Sequence, residues 1–152
     1  VALGVGAVAL LAVGMVVPRV AALRRLRDRL ALALPGVGTL LRLQASVHYM
    51  RTVALVIGAQ DAAVSALEAA AGVLGPAAFR RDGARAVQAL REGESLSAAL
   101  GRLRFLPPVA VALIRAGERA GEVAAMTARA ADLVDDRLQT LRRRLAVLLE
   151  PV

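Results

Sequence analysis

Few side chains in this sequence are suited to covalent or metal chemistry, and their spacing decides what they can do. His48 is the sole histidine, and cysteine and lysine are absent. Nucleophilic catalysis needs a base beside an activated Ser or Cys and an orienting acid. Zinc needs several imidazole or thiolate ligands. Neither set assembles around His48, which follows the apolar stripe residue Val47, so a structural or surface histidine is expected. Glu118 and Glu122 are four apart, as are Asp132 and Asp136, with Asp135 alongside. On a helix this spacing puts two carboxylates on one face, where they could hold a hard cation such as Mg²⁺ or Ca²⁺. Such sites use more oxygen ligands than these. With Arg129, Arg137 and Arg142 to Arg144 close by, a solvated charged face is the expectation. Gly4/Gly6 and Gly36/Gly38 are not phosphate loops: no strand precedes them, and the Walker pattern requires the absent lysine. No cofactor, no metal and no enzyme activity are expected, and any nucleotide energy would come from a partner.

The elements that must carry these residues read as helices. Leu40, Leu43, Val47, Met50, Ala54 and Ile57 recur at intervals of three and four, and Gly58 offers a stop. Val64, Leu67, Ala71 and Leu74 form a second stripe, opened by Asp61 as N-cap and closed by Gly75. Phe79, Gly83, Val87 and Leu90 form a third between Pro76 and Gly93. Ser95 caps a short fourth helix with Leu96, Leu100 and Leu103, and Pro107 and Pro108 open a fifth that carries Val111 and Ile114 and ends near Gly117. The longest stripe follows Gly121: Val123, Met126, Ala130, Val134, Leu138, Leu141, Leu145 and Leu148. The pattern predicts an all-α protein, an antiparallel six-helix bundle over 35–152. Glu118 then falls where the fifth helix ends and the long helix begins, a place for a local cap or for a partner contact between Gly117 and Gly121.

Composition agrees. The chain has 152 residues, 58% hydrophobic and only 2% aromatic, which excludes disorder and disfavours strand-rich folds. The net charge of +8 is carried entirely by arginine. Residues 1–17 hold no polar side chain, and as a helix would span roughly 25 Å, at the short end for a bilayer crossing. The chain begins at Val1, so it reads as a piece of something longer. Pro18 opens a basic juxtamembrane connector over 18–34, expected to be helical. Its Arg19, Arg24, Arg25, Arg27 and Arg29, opposed only by Asp28, mark the cytoplasmic side of a membrane and could meet anionic headgroups. The expected arrangement is therefore an N-terminal transmembrane helix followed by a cytoplasmic bundle. Nucleic-acid binding is not expected, because the arginines are dispersed and stacking aromatics nearly absent.

Six short motifs in order carry a resemblance. They are Leu34-Pro35-Gly36-Val37-Gly38, Arg51-Thr52-Val53-Ala54-Leu55, Gly93-Glu94-Ser95-Leu96-Ser97-Ala98-Ala99-Leu100, Phe105-Leu106-Pro107-Pro108, Gly117-Glu118-Arg119-Ala120-Gly121 and Leu149-Glu150-Pro151. Over about residues 34 to 151 the chain resembles the type II secretion F component and its PilC counterparts in type IV pilus systems, inner-membrane platform proteins. That family has two homologous helical domains and three spans. The resemblance implies the second domain with its preceding span, a third span beginning just beyond Val152, and location in the bacterial inner membrane. It further implies an adaptor that couples a cytoplasmic assembly ATPase to pseudopilin addition beside other inner-membrane components, and a homo-oligomer is expected. Where the family has an Ala-Gly-Val-Pro-like turn, this chain has Gly58-Ala59-Gln60-Asp61, and Ala120 replaces a common Ser. Two other functions compete: a peripheral lipid-binding bundle that works through Arg19 to Arg29, and a membrane-tethered metal- or nucleotide-dependent enzyme.

Overall fold

Glycines and prolines divide the folded chain much as the sequence suggests. The computed structural model describes residues 36–60 and 62–149. Their regular structure is six helices: α1 (Val37–Gln60), α2 (Ala63–Gly72), α3 (Ala77–Arg91), α4 (Leu96–Gly101), α5 (Pro108–Ala120) and α6 (Val123–Leu149). Pro76 and Pro107 stand in extended backbone at the N-caps of α3 and α5. There a missing N–H costs nothing, since the first-turn donors lack helical partners. Ser95 Oγ accepts the Ala98 N–H at 3.2 Å and caps α4 as expected.

Three boundaries differ from expectation. α1 does not stop at Gly58 but continues through Gln60. Glycine weakens a helix by only about 1 kcal/mol, and packing on α6 outweighs that. α2 ends at Gly72 rather than Gly75, so Leu74 is buried from the turn that follows. α5 runs through Gly117 to Ala120. Asp61, expected to cap α2, lies outside the described residues, and Ala62 stands at the cap position without a side-chain bond. The apolar run 1–17, the connector 18–34 with Arg19, Arg24, Arg25, Arg27 and Arg29, and Glu150-Pro151 also lie outside them. No helix among the described residues is long and apolar enough to cross a membrane.

Each helix packs mainly on its neighbours in sequence, and α6 packs back on α1, which closes the ring. α1 and α6 are antiparallel: Gly36 lies against Leu145, Arg51 pairs with Asp135, and Gly58 lies against Ala124. The core draws on every helix, with Tyr49, Met50 and Val53 of α1, Leu67 of α2, Leu100 of α4, Ile114 of α5 and Val134 of α6 fully enclosed. All three aromatic residues of the chain meet there. The Phe105 ring lies 5.7 Å from Tyr49, edge-on, and 4.9 Å from Phe79. Spacing so close favours aromatic attraction beyond simple area burial.

Candidate functional site

The α5–α6 turn is built by two glycines with different duties. Gly121 has φ +72°, a left-handed conformation that a Cβ would strain. The Gly117 carbonyl accepts the N–H of Glu122 at 2.9 Å, five residues on, and also that of Gly121. This is the six-to-one closure of a Schellman-type helix end. Gly117 itself is helical and buried, and here space is the constraint. An added Cβ would stand 2.7 Å from Met126 Cβ and 3.1 Å from the Glu122 carbonyl oxygen. Only glycine lets α5 and α6 approach so closely. Glu122, whose carbonyl accepts the Met126 N–H at 3.0 Å, opens α6.

Glu118 therefore does not sit at a helix start. It lies in the last turn of α5, at the negative end of that helix dipole, where a carboxylate gains nothing. It forms no ion pair among the described residues and is half-exposed. The capping role expected of it is overturned, and no local interaction accounts for its charge. Nor do Glu118 and Glu122 share a helix face, because the turn separates them. Asp132 and Asp136 do share the exposed face of α6, while Asp135 turns to Arg51 of α1 at 2.8 Å. No group of three His, Cys, Asp or Glu among the described residues is placed to hold a metal. His48 is exposed.

A second Gly-Glu turn provides a control within the molecule. Gly93 has φ +93°, and the Glu94 N–H donates to Ala89 O at 3.1 Å, again five residues back. Glu94 accepts from Arg102 Nε at 3.1 Å, so its charge is answered inside the bundle. The following Ser95 caps α4. This motif is explained by structure; the Glu118 motif, apart from its glycines, is not.

Three further residues hold the loop that leads into α5, and the sequence reading did not single them out. Asp82, only 4% exposed, accepts from Arg104 Nε and Nη2 at 3.2 and 3.3 Å, with Arg85 at 3.7 Å. The Ser46 hydroxyl, buried in α1, lies 2.7 Å from Phe105 O and 2.8 Å from Arg42 O. Phe105 is thus tied to α1 by its carbonyl and to α1 and α3 by its ring. The available signal was Asp82 itself, an acid placed three residues after Phe79 and four before Ala86 on a buried stripe.

Among the described residues the fold is a closed all-helical ring with glycine-locked turns, and no catalytic constellation is assembled. Comparison with known proteins makes the class specific. Residues 49–152 match the family model described as type II secretion system (T2SS), protein F. The chain is 33% identical over 120 residues to the type II secretion system protein F of Pseudomonas aeruginosa, covering 79% of this chain and 30% of that protein. It is 29% identical over 117 residues to the Vibrio cholerae protein of the same name, covering 76% and 29%. It is 28% identical over 130 residues to the type IV pilus assembly protein PilC of Thermus thermophilus, covering 85% and 32%. The chain belongs to the type II secretion system protein F family. It spans about a third of the length of these relatives.

Proposed function

We propose that this bundle is a cytoplasmic domain of an inner-membrane platform in a type II secretion machine, a non-enzymatic adaptor that couples a cytoplasmic assembly ATPase to pseudopilin addition. Membership of the family supports a secretion or pilus role, and the protein F relatives favour the secretion version. The observation that carries the adaptor reading is the α5–α6 turn. Gly117 is fixed by packing and Gly121 by its left-handed backbone, yet the Glu118 charge has no ion-pair partner among the described residues. A rigid turn that presents an unpaired carboxylate suits contact with a basic partner surface. Residues 1–17 and Arg19 to Arg29 would anchor and orient the platform, with the bundle in the cytoplasm.

Glu118→Gln tests the reading, because it keeps size and much of the hydrogen bonding while removing the charge. In the full-length protein the expected result is failed secretion and lost copurification with the assembly ATPase, with the melting temperature nearly unchanged. A variant both stable and fully active in secretion would refute the partner contact.

A further inference from the structure

The antiparallel pairing of α1 and α6 gathers arginines that are scattered in sequence. The start of α1 and the finish of α6 share one end of the bundle, since an added Gly36 Cβ would stand 3.8 Å from Leu145 Cδ2. Arg42 of α1 and Arg142, Arg143 and Arg144 of α6 are all exposed there, with Arg137 higher on the same helix. None has an ion-pair partner among the described residues. α1 contains no acid, and α6 contains none after Asp136. Among these cations stand exposed aliphatic side chains, Val147 at 72% and Val37 at 39%. The helix dipole does not account for Arg142 to Arg144, since the effect fades beyond the last turn and α6 holds no basic residue there.

We propose that this basic, aliphatic end of the bundle rests on an anionic lipid surface, so that the bundle stands upright with the α5–α6 turn at its far end. Arginine heads pair with phosphate while their stems and the valines enter the headgroup layer. The chain enters α1 at this end directly from the Arg-rich connector that follows the uncharged residues 1–17. Lipid is therefore the polyanion nearest to hand, rather than nucleic acid or an acidic protein. α6 rises roughly 36 Å from Val123 to Val147, so the Glu118 turn would stand that far from the headgroups, out where a cytoplasmic partner reaches it. This inference rests on the membrane-anchored reading but not on the identity of the partner.

The test uses the whole chain reconstituted in vesicles. Because the chain has no cysteine, Val147→Cys and Ala120→Cys each carry one fluorescent label, at the basic end and at the far turn. Nitroxide-headgroup lipid reports proximity. In phosphatidylcholine vesicles containing phosphatidylglycerol, quenching at 147 is expected to exceed that at 120 several-fold. It should fall toward the 120 level in pure phosphatidylcholine, and also when Arg42, Arg142, Arg143 and Arg144 are all changed to Gln. Each lost cation weakens partition by about five-fold. The same four positions changed to Lys should keep the quenching. Equal quenching at both positions, indifference to phosphatidylglycerol or to the Gln changes, or loss in the Lys variant would overturn the proposal. Carbonate-resistant retention of the chain in the same vesicles reads the anchor by itself, so the anchor and the lipid contact can each fail alone.

Discussion

At the start of α6, a methyl group added to Gly117 would stand 2.7 Å from Met126 Cβ; near its finish, Val147 is 72% exposed. One helix thus has a locked end and an open end. Thr127, Ala130, Ala131, Val134 and Leu138 are buried, whereas Leu141 and Leu145 are only half covered and Arg142 to Arg144 face outward. Among the described residues, the turn is fixed by the close approach at Gly117, the middle of α6 carries the core contacts, and the finish presents Val147 and Arg142 to Arg144. An open basic end fits a surface that completes it.

Gly117→Ala should break this contrast most severely. The two backbones must separate, and overpacking of this kind costs about 1–3 kcal/mol. Thermal unfolding should register the loss, and secretion should fail with it. Gly93→Ala, whose Cβ would meet nothing within 4 Å, should cost only the left-handed strain of about 1 kcal/mol. Equal losses at the two glycines would show that helix approach is not the constraint at Gly117.

Tyr49→Phe should sharpen the contrast from the core side. The Tyr49 hydroxyl is buried without a hydrogen-bond partner among the described residues, so its removal should stabilise the bundle by about 1 kcal/mol near neutral pH. Burial also raises the Tyr49 pKa above the ordinary tyrosine value near 10. The folded state then holds its proton after the unfolded chain has lost it. The resulting stability is intact below pH 10 and is lost as pH rises through the alkaline range. Denaturant titrations should show the wild type losing about 1.4 kcal/mol more per pH unit there than Tyr49→Phe. Parallel pH profiles would mean that the hydroxyl reaches water.

Val147→Ser should have the smallest effect, within about 0.5 kcal/mol in detergent solution, as expected for an exposed site. A larger loss of thermal stability would mean that the open end is packed after all.

Much of this architecture was legible in the residues. The stripes from Phe79 to Leu90 and from Val123 onward, the Ser95 cap and the Pro107-Pro108 start all stand where the periods and breakers put them. The turn containing Gly117 was visible as a motif, but its geometry was not. Glycine reads equally as a helix stop or as a point of close approach, and only the position of Met126 tells which. Glu118 was misplaced for the same reason: ending α5 at Gly117 puts the carboxylate at a helix start, whereas α5 extends through it.

By itself the sequence determined the all-α class, the number of helices among the described residues and most of their starts. Those properties depend on local spacing, on capping hydroxyls and on the dihedral limits of glycine and proline, all within a few residues. Tertiary structure decided the rest. It chose Val53 over Ala54 for the inward face of α1. It paired Arg51 with Asp135 and Asp82 with Arg104, and brought Tyr49, Phe79 and Phe105 into one cluster. It also set Arg42 at the same end as Arg142 to Arg144. Each of these rests on the register between helices far apart in the chain. That register is set by the summed packing of whole faces, which no local spacing encodes.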